Sequence, residues 1–142
     1  MFKMQRVHLF QADVDDKPGG TAAKLKALAT AGAHLEYVTS ERSATPGVGV
    51  LLVAPRQVKA EMELVKKAGF HEVQEPIVMR FEGDDTAGLG SRVTLAWEEA
   101  GINLHGLTMA VVSGKFVGYA TFDHADDANK AAVLLSEMGT KG

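Results

Sequence analysis

An α+β protein made of two tandem copies of one β-α-β-β-α-β unit is the fold that the sequence predicts. Three observations predict it. The first is a repeat: the shift that brings Asp15-Asp16 onto Asp84-Asp85 also brings Gly19 onto Gly88, Ala31-Gly32 onto Ala100-Gly101 and Leu35 onto Leu104. "DDKPGGTAAKLKALATAGAHL" thus overlays "DDTAGLGSRVTLAWEEAGINL". The second is periodicity, which switches between alternating and helical in the same order in both copies. The third is punctuation, since each copy carries a glycine step before its first helix and an "AG" after it.

The elements follow in order. An alternating strand opens each copy, at Val7 and Leu9 in the first and at Ile77, Met79 and Phe81 in the second. The acidic turn comes next, and Pro18 suits a first helical position, where its missing N–H costs nothing. The helix that follows shows an apolar stripe at Leu25, Leu28 and Gly32, and at Leu89, Val93, Ala96, Trp97 and Ala100. Gly32 and Gly101 are placed to end these helices in the left-handed conformation. Second strands lie in "AHLEYVTSE" and "INLHGLTMAVV". Hairpins turn at Pro46-Gly47 and Ser113-Gly114. Second helices carry Val58, Met62 and Val65, then Ala128, Ala131, Leu135 and Met138. This order is the ferredoxin-like one, with antiparallel sheets and helices on one face.

"FHEVQE" offers a closing strand for the first copy. After Met138 only "GTKG" remains, so the second copy lacks or shortens its last strand. Its first strand is then an open edge, and open edges invite another chain or another segment of the same chain. The expected domains are residues 1–75 and 76–142.

Composition excludes several classes. A net charge of −3 leaves no electrostatic footprint for nucleic acid. No cysteine is present, so disulfides and thiolate chemistry are out. The apolar runs are too short for a bilayer, and the start has no secretory pattern. A soluble, cytoplasmic protein is the expectation. No nucleophile elbow, P-loop or dinucleotide fingerprint occurs, so no catalytic residue is assigned and no enzyme or cofactor is expected. The five histidines include no helical i, i+4 pair, and no metal site is assigned.

The corners carry the remaining chemistry. Gly19, Gly20, Gly88 and Gly90 let a backbone approach a ligand closely at a helix N-terminus, where open N–H groups favour an anion such as an α-carboxylate. Leu89 belongs to the same corner. A tight turn with nothing bound explains these glycines equally well. Asp16 and Asp85 can receive an ammonium group, although helix capping is the simpler reading of each. His34 and Asn103 occupy equivalent positions at the mouth of a strand. Asn offers a donor and an acceptor together, and His does so when neutral but changes its charge with pH.

A strand ending in Asp, then a Pro-Gly step, an amphipathic helix and an "aGxNI"-like entry to the second strand resembles the ACT domain, a small regulatory module that binds amino acids. "DDKPGG…AGAHLEYV" and "DDTAGLG…AGINLHGL" carry the resemblance, twice. Ala87 replaces the usual Pro, His34 the usual Asn, and the last strand of the second copy is missing. The resemblance implies side-by-side pairing of such units and an effector at their interface, between the first loop of one unit and the second-strand entry of its neighbour. It implies a small amino acid effector held by Asp16, Gly19, Gly20, His34, Asp85, Gly88, Leu89 and Asn103. It further implies a homodimer, and a stand-alone sensor or a regulator of a separate enzyme. The alternatives are a metal-responsive ferredoxin-like protein and an assembly module without a ligand.

Overall fold

The computed structural model describes residues 2–141. The chain forms two compact units. The continuous unit is His8–Val73, and the split unit combines Met1–Val7 with Gln74–Gly142.

In the continuous unit β2 (Phe10–Asp15), α1 (Gly20–Thr30), β3 (Leu35–Arg42), β4 (Val48–Pro55), α2 (Lys59–Lys67) and the two-residue β5 (His71–Glu72) follow one another. Their sheet has the order β3-β4-β2-β5, all antiparallel. The split unit takes β1 (Lys3–Val7) from the start of the chain. It then adds β6 (Ile77–Asp84), α3 (Leu89–Glu99), β7 (Gly106–Val112), β8 (Lys115–Phe122) and α4 (Ala125–Lys141). Its sheet has the order β1-β6-β8-β7, the same arrangement with β1 in the place of β5.

The sequence reading placed one strand around Val7 and Leu9 within a domain 1–75. The chain instead makes two strands there, and residues 1–7 join the other unit. The reason is the open edge of β6. β1 pairs with it from Lys3 opposite Glu82 to Val7 opposite Val78, so backbone groups that would otherwise need water find partners. Phe2 and Met4 add their side chains to the core of the split unit. The last strand missing from the second copy is therefore supplied from within the chain.

Two side chains hold the point where the chain leaves β1. The His8 backbone N–H donates to Gln57 Oε1 at 2.7 Å, and His8 Nδ1 lies 2.7 Å from Glu72 Oε1. The Val73 N–H donates to the Leu9 carbonyl at 2.8 Å. The two strands of chain that connect the units are thereby tied together at the edge of the continuous unit.

Each unit has its own core. Phe10, Leu28, Leu51, Val53, Val65 and Phe70 centre one of them. The other is aromatic: Trp97 stands edge-on to Phe81 at 5.5 Å and to Phe122 at 5.7 Å, and its Nε1–H donates to the Ala131 carbonyl at 3.1 Å. Gly118 sits beneath this cluster because a Cβ there would strike the Phe81 ring.

The helix ends behave as the sequence requires. Gly32 (φ +85°) and Gly101 (φ +78°) take left-handed conformations. The Ala33 N–H returns to Leu28 O and the Ile102 N–H to Trp97 O, both at 3.0 Å, which closes a Schellman motif in each copy. Val58, expected on the stripe of α2, is instead its exposed N-cap.

Replacing Gly118 by Ala is expected to destabilise the protein by about 1–3 kcal/mol, the usual result of overfilling a packed core. Denaturant unfolding measures this, and adding Phe81→Leu should recover part of the loss. An unchanged unfolding midpoint for the single variant would refute the packing argument.

Candidate functional site

The glycine corners are built alike in both units. β2 ends at Asp15, and the Gly20 N–H then donates to Lys17 O at 3.1 Å. Gly19 has φ 89° and ψ −10°, the values of the third residue in a type II turn. In the split unit the Leu89 N–H donates to Thr86 O at 3.2 Å, with Gly88 at φ 78° and ψ 6°. Pro18 is therefore the second residue of a turn rather than the first of a helix, and Ala87 fills the same place. The corner is also tied to the hairpin beside it. Asp16 N–H donates to Gly47 O and Asp85 N–H to Gly114 O, each at 3.1 Å.

Asp16 and Asp85 do not cap the helices. Gly19 and Gly88 are the N-cap residues, and neither helix has a side-chain cap. The turn inserts itself between the acid and the helix, which puts the carboxylates out of reach. Asp16 pairs instead with Arg42, Oδ2 to Nε at 3.1 Å. Asp85 is exposed, and at the corner of the split unit Arg92 donates to Ala87 O at 3.0 Å and to Thr86 Oγ1 at 2.7 Å.

Intramolecular packing accounts for the glycines themselves. Gly19 and Gly88 supply the positive φ of the turn. A Cβ on Gly20 would strike the Asp15 carbonyl oxygen. The Leu89 side chain is 3% exposed and belongs to the core, so only its backbone lies at the corner. What remains open to a ligand is the first helical turn. Among the described residues, the Thr21 and Ala22 N–H groups of α1 and the Gly90 and Ser91 N–H groups of α3 have no acceptor.

His34 and Asn103 lie elsewhere. His34 immediately precedes β3, whose far end at Arg42 pairs with Asp16. The eight residues of β3 therefore separate His34 from the glycine corner by about 25 Å. Around His34 the contacts are local: its N–H donates to Glu61 Oε2 at 3.0 Å, and Arg56 Nη2 is 3.4 Å from its Nδ1. Asn103 is exposed just before β7, near His105, whose Nδ1 is 2.9 Å from Asp123 Oδ1. Within one unit, then, the acid, the glycines and the strand-entry residue do not converge.

Sequence reasoning missed the residues around the Asp16–Arg42 pair. A concavity of about 180 Å³ lies here, lined by Asp16, Thr21, Ser40, Arg42 and Gly49 among others. A wider one, about 410 Å³, runs along α4 past Asn129, Lys130, Val133 and Leu134. It is apolar with a single cation, which suits a charged small ligand less well than the polar corner does. Among the described residues no three His, Cys, Asp or Glu side chains group as a metal site, and no helix is long and apolar enough to cross a membrane.

Two units, each a four-stranded antiparallel sheet with two helices and a glycine-capped first helix, define a tandem ferredoxin-like α+β fold. The regulatory subunit of aspartate kinase from Thermus thermophilus, in its ligand-free form, shares this fold with a TM-score of 0.63 at 14% identity, over 96% of this chain and 95% of its own. A protein from Bacteroides thetaiotaomicron gives 0.72 at 12% identity, over 96% and 90%. The aspartokinase alpha and beta subunits give 0.60 at 16% identity, over 96% and 95%. No family model and no curated protein sequence matches the chain. The likeness is one of fold.

One electrostatic feature distinguishes the split unit. Lys115 hydrogen-bonds the Asp84 carboxylate, and that bond with its charge holds the carboxyl below its ordinary range and raises the lysine. The folded value of Asp84 is depressed. Its contribution to stability is thus present above the unfolded value and is lost as pH falls through the folded one. Carbon NMR titration should place the Asp84 midpoint below that of an unpaired aspartate, and Lys115→Met should move it upward. An unmoved midpoint in the variant would show that the lysine is not the cause.

Proposed function

We propose that this chain is a non-catalytic regulatory protein that binds a small amino acid and passes the signal to a separate enzyme. The carrying observation is the repeated corner, with the same turn, the same glycine cap and the same open N–H groups at the start of α1 and α3. Such a helix start favours an α-carboxylate, and the acid beside it favours an ammonium group. The fold likeness to regulatory subunits of aspartate kinase over nearly the whole chain supports a regulatory role of this kind.

The separation of Asp16 from His34 bears on assembly. A site that uses both a glycine corner and a strand entry has to take them from two different units. In this proposal a homodimer supplies them: Asp16, Gly19 and Gly20, or Asp85, Gly88 and the Leu89 backbone, come from one chain. His34 or Asn103 comes from the second. Asn103 is the stronger partner, since its amide offers both a donor and an acceptor and makes no hydrogen bond among the described residues.

Calorimetric titration of the full chain with each of the twenty amino acids tests the reading. Asn103→Ala is expected to weaken the best ligand by about 1–3 kcal/mol, the cost of leaving polar ligand groups unpaired. Ligand should also shift the chain toward dimer in sedimentation, because the site spans two copies. Absence of binding for every amino acid would remove this function.

A further inference from the structure

The two units are copies, so each serves as a control for the other. Ladder register identifies equivalent positions without appeal to sequence. In the continuous unit Gly49 is opposite Val14 on one side and Arg42 on the other. In the split unit Phe116 is opposite Gly83 and Val111. Two ladder positions further along, on the same face, Ser40 is opposite Leu51, and Met109 is opposite Gly118. On the helix side, the second residue of α1 is Thr21 and that of α3 is Gly90.

The exchange of volumes and charges is one-sided. In the split unit Phe116 is 4% exposed and occupies the core, and Met109 lies against α3 so closely that a Cβ on Gly90 would sit 2.7 Å from its Cε. Apolar side chains fill the space between strand and helix there, although Met109 itself is 41% exposed. In the continuous unit Gly49, Ser40 and Thr21 stand in those places, and the space becomes the concavity of about 180 Å³. Arg42 replaces Val111 at its rim.

We propose that the continuous unit carries a recognition pocket for the zwitterionic end of a small α-amino acid, between Asp16 and Arg42, and that the split unit has lost it. The ligand class rests on the amino-acid reading above, but the pocket needs no second chain. Asp16 and Arg42 form a pair at 3.1 Å, with the Arg42 side chain 85% exposed and the Asp16 side chain 35%. A ligand ammonium replaces Arg42 on Asp16, and the ligand carboxylate takes the fork of Arg42. The Ser40 and Thr21 hydroxyls make no hydrogen bond among the described residues and remain available to the carboxylate. The other charges at the rim are Asp15, Lys17 and Glu41, and Asp15 and Lys17 are themselves paired at 3.8 Å. Three acids and two bases thus line the site, and because both signs are present it suits a molecule that carries both. Its volume is below the range of about 300–1,000 Å³ used for drug-sized ligands, which restricts it to small ones.

Calorimetry on the full chain decides this with three variants. Arg42→Val installs the residue of the split unit, and Ser40→Met fills the space as Met109 does. Both side chains are exposed, so the fold should survive, and circular dichroism verifies that. Asp84→Asn breaks the ion pair at the matching end of the split unit. For the amino acid that binds the wild type most tightly, Arg42→Val and Ser40→Met should each weaken affinity by about tenfold or more. Asp84→Asn should leave it within about twofold. Undiminished binding in folded Arg42→Val and Ser40→Met overturns the pocket and leaves the two-chain reading standing. If no amino acid binds the wild type, the amino-acid reading falls and the pocket falls with it.

Discussion

The edge of β6 is the constraint from which the architecture follows. A strand whose backbone groups have no partner is costly when it borders a packed core. Among the described residues the second half closes with α4 and adds no strand of its own to that edge. The first strand of the chain does so instead. That choice makes one unit continuous and the other split, and it places two connections side by side. His8, Gln57 and Glu72 are the local consequence, since a chain that leaves one sheet within two residues of joining another needs its turning point held.

The two units differ at fixed register. The frame is common to both: type II turn, glycine cap, Schellman end, and a corner N–H bonded to the hairpin glycine at the same distance. The filling differs. One core is built on Trp97, Phe81, Phe116 and Phe122, and it needs Gly118 to make room. The other places Val14 where Gly83 stands and Gly49 where Phe116 stands. Volume lost at one ladder position is only partly regained at its neighbour, and the remainder is open to solvent between the end of β3 and α1.

Much of the fold was legible because its signals are local. Periodicity located all four helices, and the "AG" steps located two of their ends. The absent last strand was legible as an absence, and so was the need to cover Ile77–Phe81. Its source was not, because pairing between residues 3–7 and 78–82 is a contact of long sequence separation that no local pattern records. Val7 and Leu9 alternate as one strand would, and only the change of partner at His8 divides them. The turns of the candidate site were legible in their glycines, and the ion pair beside them was not. Asp16 was read as a ligand or cap residue, yet its partner is Arg42, brought to it by hairpin register. Comparing Arg42 with Val111 across the repeat would have marked the position.

The repeated glycines therefore carry less functional information than their repetition first implies. Gly19 and Gly88 are required by a positive φ, and Gly20 by the Asp15 carbonyl. A duplicated fold must repeat them whether or not anything binds. What distinguishes one corner from the other has to be sought where the fold leaves the choice free. The ends of β3 and β7 are such places: exposed, at a sheet edge, and subject to no packing rule that demands Arg in one copy and Val in the other. A long, charged side chain at a sheet edge, paired with an acid across a polar hollow, is not something the core requires. It separates the two corners chemically while the backbone keeps them the same.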